Sequence, residues 1–363
     1  MPGSSIGQRL VLTSFGESHG ICVGAVLDGC PAGLELDEND IQKMLNLRKP
    51  GQSLVSTQRK EEDKVEILSG VFRGYTTGAP IAMIIWNADH DSRAYEQLKT
   101  KMRPGHSDYP ALIKYKKFND FRGGGRFSGR LTATHVMGGA IARKLLKTTL
   151  GIETNSYTLQ VGKIRMSKVT QQMMKMIYSN EVRCPDKNTA KKMRDIILAA
   201  RKKGDSLGGV IESVTTNLPV GLGEPIFGSL ESDLGKALFS IPAVKGIEFG
   251  SGFGGAEAFG SQNNDPYMVK NGKIVTKTNN AGGILGGLSN GMPIVLRIAF
   301  KPASSILKKQ TTIDIKTKKP TSLQVTGRHD PCVVPRAPPV VDSLVSLVLA
   351  DHALQGGFIK PVL

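Results

Sequence analysis

Short apolar runs alternate with Gly, Pro and Asp punctuation along the first part of the chain. Cys22 to Leu27 reads as one strand and Ile81 to Trp86 as another, since each is a compact apolar run bounded by turn residues. Asp37 has the chemistry of a helix N-cap, and Ile41, Met44 and Leu45 follow it at helical spacing. Leu131 to Leu146 predicts a helix directly after a glycine- and arginine-rich run. Thr189 to Lys203 predicts an amphipathic helix with Met193, Ile196, Ile197 and Ala200 inward, and its lysines and arginines form a solvated face. Val341 to Leu354 is apolar nearly all round, the mark of a buried helix.

Two stretches repeat one another. Pro31-Ala32-Gly33-Leu34 precedes Asp40, Ile41, Met44 and Leu45, and Pro219-Val220-Gly221-Leu222 precedes Asp233, Leu234, Ala237 and Leu238. Gly78-Ala79-Pro80-Ile81 and Gly291-Met292-Pro293-Ile294 then open a strand in each. The expectation is one domain over 1–363 with pseudo-equivalent halves near 1–150 and 205–355, joined by a basic helical insert near 160–204.

The 363 residues suffice for a sizeable core, and an apolar content of 39% is ordinary for a globular protein. The net charge of +17 is not, and it favours anionic partners. Four cysteines stand apart without a C-x-x-C pair, giving neither a metal ligand set nor a disulfide framework. A reducing cytoplasm is the expected home, with no signal peptide and no membrane span. An aromatic content of 6% argues against single-stranded nucleic acid, whose binding sites interleave aromatics with cations. Two generic fingerprints fail. Gly250 to Gly255 fits G-x-G-x-x-G without a framing βαβ unit, and Gly287 to Gly291 fits G-x-S-x-G with a strand where a helix should follow.

Candidate chemistry concentrates in a few segments. Arg122-Gly123-Gly124-Gly125-Arg126-Phe127-Ser128-Gly129-Arg130 sets three guanidinium groups around glycines that permit φ > 0, so it reads as an anion site. His19 and His106 lie in Gly/Ser loops without an apolar face, which suits acid–base work. Arg328, His329 and Asp330 share a turn, and Lys301 to Ser305 offers a cation and two hydroxyls after a strand. His90, His135 and His352 read as structural.

These segments together resemble the chorismate synthase family. The matching motifs are G-E-S-H-G at 16–20, R-P-G-H at 103–106, R-G-G-G-R-x-S at 122–128, A-G-G-I-L-G-G at 281–287, K-P-x-S-S at 301–305 and G-R-H-D-P-C at 327–332. The resemblance implies an α+β fold, a β-α-β sandwich with helices between two antiparallel sheets. It implies a homotetrameric lyase that eliminates phosphate from 5-enolpyruvylshikimate 3-phosphate with reduced FMN. The chain leaves no room for a separate reductase domain, so reduced flavin is expected from outside, NADPH being the candidate reductant. By the same resemblance His19 is the acid at the leaving phosphate, His106 serves the reduced flavin, and Asp330 assists flavin N5. The implied flavin contacts are Arg126, Phe127, Ser128, Ala243, Gly286, Lys301, Pro302, Ala303, Ser304, Ser305 and Arg328. Arg48, Arg130 and Arg336 are implied for the substrate's anions, and no metal is. Phe127, Leu54 and Pro242 depart from the family pattern, with Lys49 or Arg59 as possible substitutes for an arginine at 54.

Overall fold

The computed structural model describes residues 3–51, 53, 55–56, 62–88, 93–167, 169–326 and 329–363. Leu54, Arg59, His90 and Arg328 lie outside the described residues.

Ten strands form two outer layers. The first sheet holds β1 (Ser5–Ile6), β2 (Val11–Gly16), β3 (Cys22–Asp28), β4 (Glu66–Ile67) and β5 (Ile81–Trp86), in the order β1-β2-β3-β5-β4. The second holds β6 (Glu153–Val161), β7 (Ile164–Arg165), β8 (Gly209–Thr216), β9 (Val244–Phe249) and β10 (Ile294–Phe300), in the order β9-β10-β8-β6-β7. Every pairing in both sheets is antiparallel. The main helices are α1 (Glu38–Arg48), α2 (Asp108–Tyr115), α3 (Thr132–Leu150), α4 (Lys187–Lys202), α5 (Leu230–Leu238) and α6 (Pro338–Gln355).

Helix α6 lies along α3 and faces β6 and β8, while α3 turns its other side to β2 and β3. The two helices therefore fill the space between the sheets, and the fold is α+β with helices inside. Burial explains the apolar sequence of α6, in which every residue from Pro338 to Ala353 is buried. Close packing of α3 on α6 depends on Gly139: a Cβ there would stand 2.2 Å from that of Ser343.

Local chemistry sets the element ends. Asp37 caps α1 by accepting from the Asp40 amide at 3.1 Å, and Asp40 returns the bond to the Asp37 amide. Ile41 and Leu45 are buried and Met44 half-buried, as the spacing predicts. Asp186 caps α4, which begins at Lys187, two residues before the predicted start. Its Met193 and Ile197 are buried, whereas Ile196 and Ala200 are half-buried.

The two Pro-x-Gly-Leu turns are closed by matching clasps. The Thr76 hydroxyl donates to Pro31 O at 2.6 Å and accepts from the Leu34 amide at 2.9 Å. The Ser289 hydroxyl donates to Pro219 O at 2.5 Å and accepts from the Leu222 amide at 2.9 Å. Leu34 and Leu222 drop into the core behind them. Ser289 is thus a buried structural hydroxyl, and its G-x-S-x-G match places no nucleophile.

Candidate functional site

The site is built on Arg122 to Arg130, which fixes the positions of its neighbours. Gly123, Gly124 and Gly125 take φ of 57°, 86° and 52°, three consecutive conformations that other residues rarely adopt. Closeness demands glycine at 123 and 125 as well. A Cβ on Gly123 would stand 2.3 Å from His19 Cδ2, and one on Gly124 would stand 3.7 Å from His106 Nε2. Both candidate histidines therefore edge onto one strip of bare backbone. The Ser18 amide donates to Gly125 O at 3.3 Å and pins the His19 turn to the strip. His19 is buried and meets Tyr95 edge-on, with ring centroids 5.1 Å apart.

His106 belongs to a second cluster. Its Nδ1 lies 2.6 Å from Asp108 Oδ1, and Arg103 closes on the same carboxylate through Nη2 at 2.7 Å and Nε at 2.8 Å. Burial alone would raise the Asp108 carboxyl, yet hydrogen bonds from Arg103 and His106 hold it well below the usual carboxylate range. Arg103 Nη1 reaches Ser305 Oγ at 3.0 Å. Lys301 Nζ donates to Gly105 O at 2.9 Å and to Ser304 Oγ at 2.7 Å. Burial, with Lys245 nearby, lowers the Lys301 ammonium. Ala243 O accepts from the Lys301 amide at 2.9 Å, and Ala243 holds a φ of 75°, costly for a residue with a Cβ.

A third cluster is a cationic corner. Asp63 is buried between two arginines: Arg48 Nη1 at 3.0 Å and Arg130 Nη1 both donate to it. Burial would raise its carboxyl, but the Arg48 and Arg130 charges hold it below the ordinary value. Arg48 also donates to Thr132 Oγ1 at 3.1 Å and to Gly129 O at 2.7 Å, so it braces the far end of the glycine run. Arg336 pairs with Asp330 at 2.6 Å and donates to Arg48 O at 3.3 Å. Asn87 joins this corner to the His19 turn, accepting from Arg130 Nε at 3.0 Å and donating to Glu17 O at 3.1 Å and Gly20 O at 2.9 Å.

The structure thus gathers His19, His106, Ser128, Lys301, Ser304, Ser305 and Ala243 around the run, with Arg48, Arg130, Arg336 and Asp330 at one end. Five expected residues stand apart. Arg126 donates to Ser4 Oγ at 2.9 Å, and Phe127 tilts onto Tyr115 at 6.2 Å between centroids. Gly286 sits at a hairpin tip whose neighbour Gly287 abuts Ser229 and Pro225. Pro302 packs beside Gly208, and Ala303 O accepts from Ser206 Oγ at 2.7 Å. His135 lies in α3 near Arg48; burial and that cation push its ring down to about 4, so it is neutral at pH 7. His352 bonds Asp233 at 3.0 Å, a structural contact.

Sequence reasoning missed Asp63, Asn87, Arg103 and Asp108. Asp108 left a signal, a carboxylate two residues after a candidate histidine. Asp63 left none, because Lys60 to Lys64 reads as a solvated charge run. Among the described residues no group of three or more His, Cys, Asp or Glu could hold a metal ion, and no helix is long and apolar enough to cross a membrane.

Residues 10–354 match the family model described as chorismate synthase. The chain is 53% identical over 356 residues to a chorismate synthase of Korarchaeum cryptofilum, covering 98% of each. It is 51% identical over 361 residues to that of Dehalococcoides mccartyi strain BAV1, covering 99% of each. A crystal structure of chorismate synthase superposes with a TM-score of 0.75 at 30% identity, over 96% of this chain and 93% of that one. The glycine run, its flanking imidazoles and the cationic corner all fall within the matched span, and the chain belongs to the chorismate synthase family.

Proposed function

We propose that this chain is a carbon–oxygen lyase converting 5-enolpyruvylshikimate 3-phosphate to chorismate and phosphate by trans-1,4 elimination. The observation that carries this reading is the pair of imidazoles, His19 and His106, flanking one bare backbone strip beside a cationic corner. The substrate bears a phosphate and two carboxylates, and such a corner meets them with charge already fixed in place. Arg48, Arg130 and Arg336 are its cations. Asp63 faces two of them and so leaves the corner positive.

The donor set fits reduced FMN. Lys301, Ser304 and Ser305 supply a cation and two hydroxyls, Ala243 supplies a strained backbone, and Gly124 leaves an open face beside His106. Arg126, Phe127, Ser128, Gly286, Pro302, Ala303 and Arg328 belong to the same reading by family position. Bound in reduced form, FMN supplies electron density that the elimination returns, so no net redox change accumulates. His106 turns Nε2 to the flavin side, His19 gives a proton to the departing phosphate, and Asp330 handles the proton at flavin N5. Reduced flavin comes from outside the chain, ultimately from NADPH.

The remaining properties follow the family. Ile226, Phe227, Phe253, Val269 and Ile274 are each at least 70% exposed, which supports assembly into a homotetramer rather than a role at nucleic acid or membrane. Four cysteines without a disulfide suit the cytoplasm. A single domain with two pseudo-equivalent halves is supported by the matching clasps and by the shared orders β3-β5-β4 and β8-β10-β9.

The test is an anaerobic assay with catalytic pre-reduced FMN and the phosphorylated substrate. Continued release of phosphate and chorismate is expected, with His106→Ala folded but at least about 100-fold slower. Nicotinamide oxidation matching turnover one for one, or a His106→Ala rate near normal, would refute it.

A further inference from the structure

The strongest unassigned feature is the Arg103–Asp108–His106 cluster. We propose that Asp108 is a positioning residue that fixes His106 as its Nδ1–H tautomer and aims Nε2 at the glycine run. The inference rests on the reading of His106 given above.

Three observations carry it. His106 Nδ1 lies 2.6 Å from Asp108 Oδ1 and 3.0 Å from Arg103 Nη2. A guanidinium only donates, so it cannot hold a proton on Nδ1; a carboxylate only accepts, so it can. With Nδ1 bare, its lone pair would face a carboxylate at bonding distance. With Nδ1–H, both that group and Arg103 Nη2 donate to Oδ1.

The carboxylate itself cannot swing away. Its Oδ2 accepts from the Arg103 amide at 3.0 Å and from Arg103 Nε at 2.8 Å, while Oδ1 takes Nη2 at 2.7 Å. Asp108 also opens α2, where the N-terminal amides favour a negative charge. Arg103 runs on to Ser305, so the orientation of the imidazole is tied to the segment read as holding the flavin. Nε2 is then the nitrogen facing Gly124, where the missing Cβ leaves room for a ligand.

The experiment reads the tautomer directly. Two-bond 1H–15N correlation on protein labelled at histidine, with His106→Gln for assignment, distinguishes a protonated from a bare Nδ1. The expected wild-type pattern at pH 8 is Nδ1–H with bare Nε2. In Asp108→Asn, Oδ2 of the replaced carboxylate keeps two Arg103 donors and an NH2 turns to the ring. The pattern then moves towards Nε2–H. The kcat of Asp108→Asn is expected to fall about 100-fold or more with KM within about threefold, since a wrong tautomer forfeits most of a positioned acid–base group. A wild-type Nε2–H tautomer would overturn the proposal, as would an Asp108→Asn protein with unchanged pattern and undiminished kcat. Should Asp108→Asn not fold, the wild-type spectrum alone decides. A wild type without elimination activity would sink the functional reading, while the spectrum still judges the pairing.

Discussion

Asp63→Asn is the most informative single change to the cationic corner. The carboxylate is fully buried, and the side chains of the two arginines it faces are only 4% and 5% exposed. Asparagine keeps the shape and removes the charge, so two buried guanidinium groups lose their counter-ion together. Two charge-assisted hydrogen bonds are worth roughly 1.5–3 kcal/mol each, and removing one partner of a buried pair costs about 3–5 kcal/mol. The larger figure already includes the stranded charge, so the expected loss is about 3–5 kcal/mol. That is a large share of the roughly 5–15 kcal/mol that a folded protein possesses. Urea unfolding at pH 7, followed by circular dichroism, measures it. A loss under about 1 kcal/mol would refute the argument that Asp63 is the essential counter-ion. The pH dependence has a fixed sign. The folded carboxyl sits below its unfolded value, so its contribution is full above about pH 4 and drains as pH falls through the folded value. Asp63→Asn and the parent chain should therefore converge in stability in acid.

Gly123→Ala would put a Cβ 2.3 Å from His19 at a φ of 57°, so activity should fall at least about tenfold with the fold retained, by circular dichroism and a rate assay. Burial raises the Asp342 carboxyl to about 6, so the folded state binds that proton more tightly than the unfolded one. Stability from this group should rise by up to about 3 kcal/mol as pH falls from 7 to 4, and Asp342→Asn should abolish that slope in a pH series of unfolding curves. Thr76→Val and Ser289→Ala each remove a hydroxyl bonded at both ends of a buried turn. Each should cost about 1–3 kcal/mol by denaturant titration, and a cost in one without the other would show that the clasps are not equivalent.

Much of the fold was legible wherever one element's chemistry was self-contained. The strand predicted from Cys22 runs one residue further, and Ile81–Trp86 matches at both ends. The helix after the glycine run extends to Leu150, where Gly151 turns left-handed and closes it. Short edge strands such as Glu66–Ile67 carry no period of their own and were unreadable. At the site, His19 and His106 come together on the glycine run. Asp63 and Asn87 escaped because their meaning lies in partners far along the chain. Arg48 and Arg130 look like free cations in sequence, whereas in space Asp63 already holds both. Arg126 and Phe127 sit beside the glycines in sequence, yet the left-handed turn faces them towards Tyr115.

The glycine strip also limits how this site can change. A side chain on Gly123 would collide with the His19 imidazole, one on Gly125 with the backbone of Asp120, and one on Gly124 would have to sit at a φ of 86°. Selectivity among ligands must then be tuned from the margins, by groups that can be exchanged without moving the floor. Ser128, Ser304 and Ser305 occupy those margins. On the proposed reading, catalytic geometry and ligand preference are separable in this chain, the first locked into main-chain conformation and the second left to side chains at the rim.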